Sequence, residues 1–417
     1  MSSAGIDIRV ITEDELGAWA RAGAGGFLRP PQEGELDFRR EFFVPGRSLG
    51  AFDGERCVGT FRSFDLEMTV PGGDAVVTDA VTSVTVTSTH RRRGILSRMM
   101  AQDLAAAVAE RGQSLAILDA AEYRIYGRFG FGPAAGIAGW EIDVRRAGGV
   151  RVPPEAEGGT IELLTMEQVR EYGPELYDRF RRTRPGVIRR LPQRWRIGTG
   201  ELRVPGMEWQ EPFVALYRDP DGTPAGMLAY TVDDVWRHQV PHDTLTVRDH
   251  LAVHPAAAAA LWRYALSVDW VARVVVENTA PDDPLPLLLD DPRACVPWES
   301  TCGDWLWVRV LDAPAAFAAR RYDAPGRVVF QVTDCLGYVD GRYAVEAGED
   351  GKGGCAPTGD TPELALDVSA LGSLYLGGES VHRLVAAGLV RELVPGAVAR
   401  ADRLLRSPVK PWNPDTF

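Results

Sequence analysis

A β-branched run that ends in an arginine-rich turn and restarts as an amphipathic helix constrains this chain more than any other stretch. Residues 79–112 read DAVTSVTVTSTHRRRGILSRMMAQDLAAAVAERG. Val81, Val84 and Val86 mark a strand, yet the alternation of apolar side chains changes phase between Val81 and Val84. One extra residue near Ser83, a β-bulge, accounts for the switch. Apolar Ile95, Met99, Met100, Leu104, Ala107 and Val108 then recur at helical spacing, and Gly112 supplies the stop.

Between Ala80 and Gln102 stand four arginines and no acid, although the 417-residue chain carries 58 acidic against 46 basic residues, a formal charge of −12. A helix start offers free backbone N–H groups and the positive end of the helix dipole, and Gly94 allows close approach. Arginines add charge-assisted bonds to phosphate oxygens. Taken alone, an R-R-x-G turn is equally an exposed helix start; the flanking strand and helix favour an anion cradle.

Arg91-x-x-Gly94-x-Leu96 after a bulged, Val-rich strand resembles the acetyl-CoA motif of the GNAT acetyltransferases. With Ser83-Val84-Thr85-Val86 and IYGRFGFG at 125–132, it is similar to the enhanced intracellular survival (Eis) family in particular. The resemblance implies an α+β chain of two tandem GNAT-like domains, the second degenerate, followed by a sterol-carrier-like domain, at 1–150, 151–310 and 311–417. It implies acetyl-CoA as co-substrate, held by Val84, Thr85, Val86, Arg91, Arg92, Arg93, Gly94, Ile95, Leu96, Ser97, Ala121 and Glu122. It further implies Tyr126 as general acid, the terminal carboxylate of Phe417 as general base, a cationic acceptor of aminoglycoside type, and a homohexamer.

At 45% hydrophobic and 25% charged residues, the chain has the composition of a soluble protein of two or three domains. The opening MSSAGIDIRVITEDEL has no basic-then-apolar leader pattern and no later run reaches membrane-spanning length, so a cytoplasmic protein is expected. Five cysteines without C-x-x-C spacing signal neither disulfides nor zinc. Pro241 keeps His238 and His242 off a shared helix face, and no metal is expected at these or at His250 and His254. The acidic balance argues against a nucleic-acid partner and suits a cationic small substrate, and with no membrane-spanning run no membrane partner is expected.

Along the chain, strands are expected at 6–10, 48–52, 58–64, 66–70 and 75–86, forming an antiparallel meander. A capping box at Thr12 to Glu15 opens a helix reaching 22, a second helix covers 37–42, and the Gly-rich stretch 23–34 with Phe27 and Leu28 makes a mobile cleft wall. Past the Arg turn, in which His90 is read as solvated, come a strand at 115–118, a short helix at 122–127 and a strand at 139–144. A Gly/Pro-rich linker spans 145–159. The second unit has a helix at 166–182, a hairpin turning on 219–222, and a strand, helix (256–268), strand (274–277) order that repeats the first. There Ala258, Ala259, Ala260 and Leu261 replace Arg91 to Gly94, which leaves no phosphate cradle. The third region has strands at 305–310, 327–334, 341–346 and 364–368, helices after Asp312 and at 369–376 and 380–406, and a loop at 349–361.

Thioester aminolysis needs an oxyanion donor, a proton acceptor for the amine and a proton donor for the leaving thiolate. A bulge at Ser83 would free the Val84 N–H for the thioester oxygen and leave Thr85 and Val86 to pair with pantetheine amides; otherwise it only bends the strand. Tyr126 is a phenol, protonated at neutral pH, or a packing residue. The PWNPDTF tail, with two prolines and two aromatics, suits a stiff segment seated in a pocket. Glu35, Asp37 and Asp415 are the acids available to hold a cationic acceptor. Protein-lysine acetylation and non-catalytic acyl-CoA or lipid binding are the competing functions. If the turn is a phosphate cradle, Arg92→Ala and Arg93→Ala each weaken acetyl-CoA binding by about 1.5–3 kcal/mol, measured by calorimetry.

Overall fold

The computed structural model describes residues 5–298 and 303–417; Cys302 lies outside them. The first unit comprises strands β1 (Ile6–Val10), β2 (Ser48–Asp53), β3 (Arg56–Thr69), β4 (Ala75–Val86), β5 (Leu115–Asp119) and β6 (Gly132–Asp143). Its helices are α1 (Leu16–Gly26), α2 (Glu35–Arg40), α3 (Ile95–Ala109) and α4 (Tyr123–Tyr126). The second unit adds β7 (Thr160–Leu163), β8 (Phe213–Arg218), β9 (Pro224–Val232), the small β10 (Trp236–Arg237) and β11 (Val240–Pro241), β12 (Asp243–Ala252), β13 (Val271–Thr279), β14 (Cys295–Pro297) and β15 (Gly303–Val310). A third has β16 (Gly326–Thr333), β17 (Gly341–Ala347), β18 (Gly353–Pro357), β19 (Leu364–Asp367) and β20 (Val390–Glu392).

The first two units share one sheet, in the order β1-β2-β3-β4-β5-β15-β6-β13-β12-β9-β8-β7. β15 enters between β5 and β6, pairing antiparallel with both. Its Leu306, Trp307, Val308 and Val310 are fully buried, so residues from the end of the second segment complete the first unit's core. The third unit is a separate five-stranded sheet, β18-β17-β16-β19-β20. Its helix Val368–Tyr375 lies against β6 and β15 so closely that a Cβ at Gly132 or Gly372 would collide with the facing backbone.

Local chemistry sets the element ends. The capping box forms, with the Thr12 N–H donating to Glu15 at 3.0 Å, but α1 runs on to Gly26 because Trp19, Ala20, Gly23 and Ala24 continue its buried face. β1 to β4 make the expected meander, though β3 is one 14-residue strand and α2 begins at Glu35 rather than 37. β6 starts at Gly132, seven residues before its expected place at 139, because β15 offers a second edge to pair with. The expected 380–406 helix divides into Val381–Ala386 and Ala397–Leu405, separated at Gly388 and Gly396, both at positive φ. β18 lies inside the expected 349–361 loop, paired to β17.

The repeat in the second unit is present: β12 and β13 run parallel with helix Pro255–Ala265 between them. The expected residue correspondence is wrong, however, because only Val253 and His254 connect β12 to that helix, and Ala258 to Leu261 lie inside it. The phosphate turn is deleted rather than substituted. His250 stacks on Trp262, and the His254 imidazole caps the helix by accepting from the Ala257 N–H. His90 is buried rather than solvated, with Nε2 3.1 Å from Asp53 and Nδ1 2.8 Å from Thr89.

The C-terminal tail ties the units together. The Trp412 indole donates to Asn278 at 2.6 Å, and the Trp412 N–H donates to the Pro185 carbonyl. Asp415 is buried, accepting from Arg190 at 2.9 and 3.0 Å and from the Tyr177 hydroxyl at 2.8 Å, while Arg190 also donates to Asp249 at 2.6 Å. Burial pushes the Asp415 carboxyl up, but Arg190 and Arg194 outweigh it and hold the group below the usual carboxylate range. Its contribution to stability is therefore present above the unfolded carboxyl range and lost as pH falls through the lowered folded value. Arg190→Ala leaves the buried Asp415 with only the longer cationic contact, to Arg194 at 3.5 Å, and removes the cation from the half-buried Asp249. It should cost about 3 kcal/mol in urea unfolding at neutral pH, with a smaller loss at low pH.

Candidate active site

β4 and β5 pair in parallel only at Asp79↔Ala116 and Ala80↔Ile117, and then part. Beyond that point the β5-facing edge of β4 is unpaired and opens a V-shaped cleft. The expected bulge is present: Thr60 pairs with Thr85 and Arg62 with Thr82, so Ser83 and Val84 have no register partners. Ser83 takes φ +54°, an unusual backbone for a residue with a side chain, and its carbonyl accepts from the Thr60 hydroxyl at 2.7 Å. Val84, Thr85 and Val86 thus line one wall of the cleft.

The Arg turn sits at the mouth of this cleft. Gly94 caps α3 at φ +73° with open space where a Cβ would be, and the amides of residues 94–97 donate to nothing among the described residues. Arg91 and Arg93 donate only to the Val86 and Thr89 carbonyls. Among the described residues none of Arg91, Arg92 and Arg93 meets a carboxylate, and Arg91 and Arg92 are exposed. Ile95 is buried in the core and anchors the helix start, while Leu96 is half-buried and Ser97 exposed. Uncommitted amides and guanidinium groups around an open concavity fit the pyrophosphate of acetyl-CoA.

Across the splay, β5 ends at Asp119, followed by exposed Ala121 and Glu122 and by α4. Tyr126 is buried in the cluster formed by Leu118, Phe129, Phe131 and Trp307, with its ring edge-on to Phe131 at 6.3 Å. Burial, with Glu122 adding, pushes its phenol up to about 12, and the hydroxyl has no hydrogen-bond partner among the described residues. Phe417 reaches the opposite wall, where its carboxyl oxygen accepts from the Thr82 hydroxyl at 2.8 Å and its ring packs edge-on to Phe64 at 6.1 Å. The structure therefore brings the chain terminus to the bulged strand, one residue before Ser83.

Three site residues escape a reading of the sequence. Thr82 holds the terminus, and nothing marks it in an alternating strand. Arg62, directly opposite Thr82 on β3, belongs to a strand that reads as ordinary core. Asp119 has a weak signal, being the acid that closes the apolar run LAILD. Both its carboxyl oxygens are buried without a well-formed hydrogen bond. Burial pushes this group up to about 8, with Asp415 adding to the rise and the Phe417 amide and Arg194 opposing it. The acids expected to hold a cationic acceptor are engaged elsewhere: Glu35 pairs with Arg39 at 2.7 Å, Asp37 with Arg40 at 2.8 Å, and Asp415 with Arg190. Phe27 and Leu28 are exposed just past the end of α1.

Comparison with known proteins agrees with this geometry. Residues 7–134 and 186–310 match family models described as acetyltransferase (GNAT) domains, and residues 313–414 match a sterol carrier protein domain. An uncharacterised N-acetyltransferase of Streptomyces avermitilis is 49% identical over 99% of both chains. The N-acetyltransferase Eis of Mycobacterium tuberculosis is 34% identical over 86% of each. The crystal structure of Eis1 from Mycobacterium abscessus superposes with a TM-score of 0.85 at 32% identity, covering 99% of this chain and 100% of that one.

The buried Asp119 carboxyl has a testable consequence. A folded value raised to about 8 stabilises the protein fully only below the unfolded carboxyl pKa, and that stability is lost as pH rises through about 8. Asp119→Asn removes the titration, so the variant's Tm should gain on the wild type as pH is raised from 5 to about 9, measured by thermal unfolding.

Proposed function

This chain belongs to the Eis-like GNAT N-acetyltransferases, and from that premise we propose that it moves the acetyl group of acetyl-CoA to a small-molecule amine by direct attack in the β4/β5 cleft. One observation carries the reading: the terminal carboxylate accepts from Thr82, two residues before Val84, which has no register partner on β3, and beside the splay. Acetyl-CoA supplies the activated acyl thioester, with its pyrophosphate on Arg91 to Ser97 and its pantetheine arm along Thr85 and Val86, opposite Ala121 and Glu122. The Val84 N–H donates to the oxyanion as the amine nitrogen bonds to the carbonyl carbon. The Phe417 carboxylate takes the proton that the nitrogen loses, directly or through water. Tyr126 gives its proton to sulfur as the C–S bond breaks, which yields an amide and free CoA thiol. Its raised phenol pKa keeps that proton in place at neutral pH.

The same reading includes self-association as a homohexamer. It also explains the length of the tail, because a base at the chain end requires the third unit to send its last residues across the first two. Two changes test the roles together through acetyl-CoA-dependent thiol release over a panel of amines. Tyr126→Phe should keep acetyl-CoA affinity and lower turnover by a factor of roughly 10². A short extension after Phe417 should abolish turnover while the fold and cofactor binding persist. A tagged enzyme as fast as the untagged one would remove the terminus from the mechanism.

A further inference from the structure

Arg62 has an unusual environment. It stands opposite Thr82 in the β3/β4 ladder, so its side chain leaves the sheet on the same face as the hydroxyl that holds the terminal carboxylate. Its Nη1 donates to the Phe42 carbonyl at 2.9 Å, Nε is buried without a partner, and Nη2 makes no bond among the described residues. Phe42 and Phe64 flank the guanidinium at 5.7 and 5.0 Å, and among the described residues no carboxylate lies within ion-pair distance. Burial, with Arg39 repelling it, pulls the group down to about 10, which leaves it a cation at neutral pH.

This guanidinium lines a cavity of about 50 Å³ whose floor is Leu66, Ile188 and Leu191 and whose rim includes Phe417. At about 10–15 Å³ for each water-sized group, that volume takes a carboxylate and does not take an amino-sugar ring. The other arginines lining it, Arg189, Arg190 and Arg194, are matched by Glu67, Asp249 and Asp415. What remains is one cation without a carboxylate partner among the described residues, lining the same cavity as Phe417, whose carboxylate is held by Thr82, the residue opposite Arg62. A polycation would meet Arg62 with like charge in a desolvated wall; a zwitterion meets both groups with opposite charge.

We propose that the acceptor is a zwitterionic amino-carboxylate, whose amine lies at the Phe417 terminus and whose carboxylate sits on Arg62. This rests on the assignment of the Phe417 cleft as the site of acetyl transfer. It reverses the expectation of a cationic, aminoglycoside-type substrate, which followed from resemblance and from the overall acidity of the chain. An apolar stem between the two charges fits the aromatic and aliphatic lining.

The test uses the full-length untagged enzyme with acetyl-CoA and follows thiol release and acetylated product. Acceptors are phenylalanine and a series of ω-amino acids, each paired with the same amine lacking its carboxylate, and an aminoglycoside. At least one amino-carboxylate should exceed its decarboxylated partner by about ten-fold or more in kcat/KM, chiefly through KM, as for a lost bond between charged groups. Arg62→Gln should reduce that ratio towards one, and Arg62→Lys should restore part of it. A preference for the aminoglycoside or the decarboxylated amines, or a ratio unchanged in Arg62→Gln, overturns the proposal and leaves the site assignment standing. Failure of the wild type to acetylate any amine overturns both.

Discussion

The pairing of Asp415 with Arg190 is the interaction on which the working arrangement depends. A chain end ordinarily frays, because its last residues gain too few contacts to offset their lost freedom. Here the second residue before the terminus is a buried anion between a guanidinium and the Tyr177 hydroxyl, and Arg190 is itself stacked over Tyr177 at 4.2 Å and Trp195 at 4.8 Å. Charges taken out of water are held to one geometry, since any other leaves them unpaired. Phe417 then has only two residues of freedom, and Thr82 removes it.

The cleft that receives the terminus follows from a second constraint, the replacement of one strand pairing by another. β5 leaves β4 after two register pairs, and its other edge is fully satisfied by β15. β5 stays in the sheet past the parting because a strand from about 190 residues later in the chain pairs with its other edge along its whole length. The bulge leaves Ser83 and Val84 outside the register of the β3/β4 ladder. The second unit repeats the parting, since β12 pairs with β13 only from Asp243 to Val247 and runs on to Ala252, but just two residues connect it to the following helix where the first unit has the Arg turn.

Charge is distributed against the average. The chain carries a formal −12, yet four arginines line the cavity beside Phe417 and three more rise over the start of α3. Net charge describes the field far from the protein, whereas recognition is set by the groups left unpaired at the site. Three of the cavity arginines are matched by Glu67, Asp249 and Asp415, so among the described residues the positive charge that these two clusters leave without a carboxylate lies at Arg62 and in the turn before α3.

The strand, bulge, Arg turn and helix were legible in residues 79–112, because each depends on neighbours within one or two turns of chain: a phase change in alternation, a Gly at positive φ, an apolar helical stripe. The composition of the tail suits a segment seated in a pocket, but roles for Tyr126 and Phe417 come only from family resemblance. What tertiary structure alone decided is where distant elements meet. β15 in the first sheet, the early start of β6, the burial of His90 against Asp53, and the opposition of Arg62, Thr82 and Phe417 join residues tens to hundreds of positions apart. Local sequence prescribes backbone conformation and the pattern of burial, but which charges find partners and which are left facing an empty cavity depends on packing between elements that share no local signal.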